Sequence, residues 1–169
     1  FLDLKIHDIP NTAAQAVRAL TGLGADLMTL HGSGGSAMLK AAAVAAADEA
    51  RRLSVIRPKL LAVTVLTSID ADEWKKLGHT NSISQSVLTM AGAAKAAGMD
   101  GTVSSPHEAA EIRRLNGPDF LIVTPGIRPS FAQSDDQKRV TTPKEAVQNG
   151  ATHLVVGRPI TKAADPQEA

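Results

Sequence analysis

The sequence predicts an α/β protein, a (β/α)8 TIM barrel of which this chain carries about six of the eight βα units. Three observations predict it. Six apolar, β-prone stretches alternate with helical patterns, and no hairpin signal joins any two of them, so the strands must run parallel beneath covering helices. The 169 residues divide into about 28 per unit, and eight such units would need roughly 225–240 residues, near the usual barrel size. The chain opens directly on a strand and closes on a helix just starting, as expected of a barrel lacking its first two units and most of its last helix. A doubly wound sheet also satisfies the alternation. On the barrel reading, residues 1–169 form a single domain.

Each element has its own signal. Residues 1–8 alternate apolar and polar and read as a strand. "IPNTAAQAVRALTGLG" is a turn and helix, with Asn11 or Thr12 as N-cap and Gly22 or Gly24 as stop. "ADLMTLHG" is a strand, and "SGGSAMLKAAAVAAADEARRL" an alanine-rich helix entered through a Gly-Gly turn. "KLLAVTVLTS" is a strand rich in β-branched residues. "DADEWKKLG" is a short helix with acids first and lysines last, as the macrodipole favours. "ISQSVLTMAGAAKAAGM" is a helix, "DGTVSSP" a brief strand and "HEAAEIRRLNG" a helix with a glycine stop. "DFLIVTPGIRP" is a strand running into a Pro-Gly turn, and "SFAQSDDQKR" a polar loop. "TPKEAVQNG" is a capped helix with Pro143 in its first turn. "ATHLVVGRPI" is the last strand, and "DPQEA" the start of a helix.

Composition excludes several classes. With three Phe, one Trp and no Tyr, the chain lacks the exposed aromatics that stack on single-stranded nucleic acid. A net charge of +1, well mixed, provides no basic stripe for a phosphate backbone. No apolar run approaches the ~18–20 residues of a membrane span. There is no cysteine, hence no disulfide framework and no thiolate metal site. The expectation is a soluble, cytoplasmic protein with no nucleic-acid or membrane partner.

The opening "FLDLKIHDIPNT" places charge where charge is expensive. Side chains two apart on a strand share a face. Asp3, Lys5 and His7 should therefore point one way, and Leu2, Leu4 and Ile6 should meet the helices. Asp8 falls at or just past the strand end, where barrel enzymes keep their chemistry. Neighbouring carboxylates favour the charged form of a lysine. Such a lysine is a positioned acid, not a Schiff-base nucleophile. A buried ion pair without chemistry is the bland alternative.

The last two strands finish in "VTPGIRP" and "VVGRPI". Each brings a Gly and an Arg to a strand's C-terminal end, where backbone approaches a ligand closely and a guanidinium fork suits phosphate oxygens. The loops after strands seven and eight of such barrels commonly bind phosphate. The loop from Arg128 to Thr142, with Gln133 and Gln137, is long for a βα connection and would suit a lid.

"DLKIHDIPNT", "LMTLHGSGG", "AVTVLTS", "VTPGIRP" with "DDQKR", and "VVGRPIT" together resemble the orotidine 5′-phosphate decarboxylases of bacterial type. The resemblance covers almost the whole chain in order. Asp-x-Lys-x-x-Asp alone marks a wider superfamily; Ile9-Pro10-Asn11-Thr12 and the paired arginine turns make it specific. It implies conversion of orotidine 5′-monophosphate to UMP and carbon dioxide in pyrimidine biosynthesis, without metal or cofactor. It implies that Lys5 protonates C6 and that Asp3 lies beside the substrate carboxylate. Asp8 would complete the charged network and, with Ile9 and Thr12, reach into the partner's site of a homodimer. Thr67 would contact the pyrimidine. Arg128, Gln137, Gly157 and Arg158 would bind toward the phosphate. The family's further lysine and substrate-contacting aspartate belong to the two strands expected ahead of Phe1, in roughly 60 residues. A barrel of six units alone is expected not to close and to be nearly inactive.

His7 and His31 lie near strand ends and are assigned packing or hydrogen bonding. Ser104 and Ser105 are assigned nothing. Two other readings remain: a magnesium-dependent sugar-phosphate decarboxylase of the same superfamily, and a catalytically incomplete phosphate-binding fragment.

Overall fold

The structure, a computed structural model, describes residues 1–129 and 139–169. Its contacts gather into two units, residues 1–64 with 89–103, and residues 65–88 with 104–169.

In the first unit β1 (Leu2–Ile6), β2 (Leu27–His31), β3 (Lys59–Val63) and β4 (Gly101–Val103) run parallel in chain order. The helices α1 (Pro10–Thr21) and α2 (Gly35–Leu53) connect them. Met28 and Leu30 of β2 and Leu60 and Ala62 of β3 share a core with Ala13 and Val17 of α1 and with Met38, Leu39, Ala42 and Ala46 of α2. Alternation along each strand sends Thr29, Leu61 and Val63 to the opposite face. The alanines explain the composition: small side chains let helices lie close on the sheet at crystalline packing density.

β1 departs from the expected alternation. Leu2 pairs with Met28 and Ile6 with Leu30, so four steps along β1 match two along β2. Lys5 takes up the irregularity with φ of 54°. Leu2 and Ile6 both reach the helix-side core, but Leu4, expected beside them, is 56% exposed. The bulge breaks the period of two on which that expectation rested. The α1 cap also differs. The helix begins at Pro10 after an extended Ile9, not after Asn11 or Thr12, because proline's fixed φ suits the first helical position. Gly22 ends it as expected. α2 follows a 3-10 turn at Gly32–Gly34.

The second unit holds α3 (Ala71–Lys76), α5 (Ala109–Asn116), α6 (Pro143–Gln148) and the parallel pair β5 (Leu121–Thr124) and β6 (His153–Leu154); α4 (Ile83–Ala96) spans both units. Asp70 caps α3 by accepting the Glu73 amide at 2.9 Å. Thr142 and Glu145 form a reciprocal capping box on α6, with Pro143 in its first turn. The last strand is shorter than expected. Only His153 and Leu154 pair, and Arg158–Thr161 form a helical turn, α7. Pro159 lacks the N–H a ladder needs and fits the start of a helix instead. "DPQEA" is not helical; Asp165 Oδ1 accepts the Gln167 amide at 2.8 Å, the local bond that favours a turn.

Candidate active site

The charged row of β1 is held from below by β2. Asp3 Oδ2 accepts from Lys5 Nζ at 2.6 Å, with both side chains about two-fifths exposed, at 45% and 37%. Thr29, fully buried, donates its hydroxyl to Asp3 Oδ1 at 2.9 Å. The same hydroxyl accepts the Lys5 amide, also at 2.9 Å. Since Thr29 lies between Met28 and Leu30 in β2, this network occupies the face turned away from the helices. The lysine amine is therefore not among them.

The two histidines join this end. The His7 and His31 rings lie 5.2 Å apart, tilted by 39°. Burial, then His7 and then Lys5, lower the His31 pKa from 6.5, while Asp3 opposes them. Asp3, Lys5 and His7 thus all lie close enough to His31 to act on it electrostatically. Asp8 is exposed just past the strand, where its Oδ1 accepts the Ile9 amide at 2.7 Å. Ile9 is 67% exposed, and Thr12 is exposed on the first turn of α1.

The second unit carries the anion-binding candidates. Thr67 is buried four residues beyond the end of β3. Arg128 is buried, and its Nη1 donates to the Ile127 carbonyl at 2.9 Å. Its amide donates to Thr141 O at 2.9 Å, so the Pro-Gly turn is tied to the stretch just ahead of α6. Gly126 sits at φ of 78°, a conformation open to glycine. Gly157 is exposed, with open space where a Cβ would project, and Arg158 opens α7. Gln133 and Gln137 lie outside the described residues.

Two groups escaped sequence reasoning. Thr29 is one; its only signal is a hydroxyl in an apolar strand. The other is the ion pair of Glu108 and Arg139, nearly buried at 7% and 11% exposure. It ties Arg139 to the start of α5, beside a contact of 3.1 Å between His107 Nε2 and Val140 O. The wide sequence separation hid it.

The geometry agrees with what the chain is similar to. The family described as "Orotidine 5'-phosphate decarboxylase / HUMPS family" matches residues 1–169. The chain belongs to this family. It is 54% identical over its whole length to an orotidine 5'-phosphate decarboxylase of Trichlorobacter lovleyi, covering 69% of that protein. It is 52% identical to one of Pelobacter propionicus, again covering 69%. A crystal structure of orotidine 5'-phosphate decarboxylase from Lactobacillus acidophilus superimposes with a TM-score of 0.85 at 43% identity, over 99% of this chain and 70% of that one. The fold class is accordingly a (β/α) barrel, of which this chain supplies six parallel strands with alternating helices. These relatives are named as decarboxylases of orotidine 5'-phosphate, carbon–carbon lyases of pyrimidine biosynthesis.

Proposed function

We propose that the protein decarboxylates orotidine 5′-monophosphate to UMP, with Lys5 as the proton donor. The observation that carries this is the Asp3–Lys5 pair, 2.6 Å apart on the face of the strands opposite the helix core, in a chain of this family.

The chemistry follows from charge. The bond from C6 of the pyrimidine to the carboxylate breaks, carbon dioxide leaves, and the electron pair stays on C6. No π system absorbs that pair, so the site must hold fixed positive charge where it develops. The Lys5 ammonium supplies it and then transfers its proton to C6, leaving a neutral amine that solvent reprotonates. Asp3 keeps the ammonium in place and lies beside the departing carboxylate. Arg128, Gln137, Gly157 and Arg158 grip the phosphate end. Binding energy from that unreacting end is used to position the ring, which accounts for two arginine turns on a group that does not react. Thr67 contacts the pyrimidine.

We further propose a cytoplasmic homodimer in which Asp8, Ile9 and Thr12 meet the partner's site. An exposed isoleucine beside an exposed acid at the start of α1 supports it. A monomer in sedimentation equilibrium at assay concentration would remove it. None of the described helices is long and apolar enough to cross a membrane.

The test is UMP formation by the purified full-length protein. Lys5→Ala should reduce kcat by several orders of magnitude and leave UMP affinity within a few-fold. Turnover by Lys5→Ala at the parent rate would overturn the assignment, as would complete dependence on an added divalent cation.

A further inference from the structure

We propose that Thr29 is a positioning residue for decarboxylation, fixing both the lysine backbone and the carboxylate that together aim the Lys5 amine. The proposal rests on the assignment of Lys5 as proton donor.

The bond directions are forced. An amide N–H only donates, so the 2.9 Å contact from Lys5 N makes the Thr29 oxygen an acceptor there. The hydroxyl has a single proton, and it goes to Asp3 Oδ1 at 2.9 Å. Asp3 Oδ2 is left to accept Lys5 Nζ at 2.6 Å. The circuit closes on itself, from Lys5 amide through Thr29 and Asp3 to the Lys5 amine. Each carboxylate oxygen has a different partner, so the carboxylate cannot rotate without losing one of them. An ammonium has three donors, and with one directed at Asp3 the others are aimed by the same constraint.

Two further observations support the role. Lys5 has φ of 54°, in a region costly for any residue with a Cβ. Such a conformation persists only where its surroundings over-determine it, and the Thr29 bond to the Lys5 amide is one such restraint. Thr29 itself is fully buried, and β2 pairs with β3 without interruption from Leu27 to His31. The anchor is therefore rigid, whereas the strand it holds is bulged.

The experiment compares Thr29→Ala, Thr29→Ser and Thr29→Val in the full-length protein. Ala and Ser leave a similar gap and differ by the hydroxyl; Val retains the shape and removes it. Steady-state kcat and KM are measured for orotidine 5′-monophosphate, together with UMP affinity. The expected result is a kcat loss of about 10- to 100-fold in Ala and Val, the scale of a hydrogen bond to a charged group. Ser should recover to within about three-fold of the parent, with UMP affinity unchanged in all three. A kcat for Ala or Val within about two-fold of the parent overturns the proposal, as does an equal loss in Ser and Ala, or a parallel loss of UMP affinity. Lys5→Ala is run alongside. If it turns over normally, the proton-donor assignment fails; if it is inactive while Thr29→Ala is normal, only the role of Thr29 fails. Should Val not fold, the Ser and Ala comparison decides alone.

Discussion

Replacing Arg139 with methionine tests whether the second unit depends on a charge pair for the geometry of its arginine turn. Arg139 and Glu108 bond each other with 11% and 7% of their side-chain surface exposed. Glu108 Oε2 and Arg139 Nη1 are each buried without a hydrogen-bond partner among the described residues. Burial raises the Glu108 pKa above 4.5, although Arg139 and then His107 pull it down. An incompletely satisfied buried pair adds little net stability, but removing one member leaves a buried, uncompensated charge, at a cost of about 3–5 kcal/mol. With an m-value of about 2 kcal/mol per molar, the urea midpoint of Arg139→Met should fall by roughly 2 M at pH 7. The pH dependence follows from the direction of the shift. A carboxyl with a raised folded pKa favours the protonated native state, so its penalty is absent below the unfolded value near 4.5 and complete above the folded one. The loss in Arg139→Met must therefore shrink between pH 7 and pH 5. Glu108→Gln added to Arg139→Met removes both charges and should recover most of it. A loss below about 1 kcal/mol at pH 7, or equal losses at the two pH values, would refute the reasoning. Thr141, two residues on from Arg139, accepts the Arg128 amide at 2.9 Å and so ties the pair to the arginine turn.

Two further outcomes are expected. Arg113 donates to the carbonyls of Gly117, Pro118, Phe120 and Gly150 at 2.7–3.0 Å, so Arg113→Met should cost about 2 kcal/mol or more in thermal or urea unfolding, while Arg113→Lys recovers only part. His31 should make stability fall on acidification, opposite in sign to Glu108. Its lowered pKa favours the neutral form in the fold, a contribution present above 6.5 and lost as pH falls through the lower folded value. His31→Gln should flatten that part of the stability–pH curve, and an unchanged curve would contradict it.

The parts of this molecule that announce themselves in sequence are those governed by local rules. The acids that open "DADEWKKLG" and the capped start of "TPKEAVQNG" with Pro143 are signals set within four residues, and the structure has a helix at each, capped by Asp70 and by Thr142 with Glu145. The acid–base–acid row of β1 is legible because ionic side chains are rare in a strand. Local signals can also compete: Arg158 begins a helix rather than ending a strand because Pro159 acts on the backbone more strongly than the apolar run before it. Other features depend on distant chain. Glu108 and Arg139 are 31 residues apart, and neither has a local pattern that names its partner. Thr29 resembles any β-branched strand residue until the pairing of β1 with β2 brings Asp3 and Lys5 over it.

The bulge in β1 links these levels. An unbroken strand would place Leu2, Leu4 and Ile6 together against the helices and set Asp3 and Lys5 about 6–7 Å apart along the opposite face. Here Leu2 and Ile6 keep their core contacts, Leu4 is exposed, and Lys5 takes a left-handed φ while its amine meets Asp3 at 2.6 Å. The same stretch carries an ammonium and a carboxylate on the face opposite the helices, held by a buried hydroxyl. The left-handed φ of Lys5 costs about 1–2 kcal/mol. Such a conformation persists only where its surroundings hold it, and here the holding groups are the Thr29 hydroxyl on the Lys5 amide and the Asp3 carboxylate on its amine.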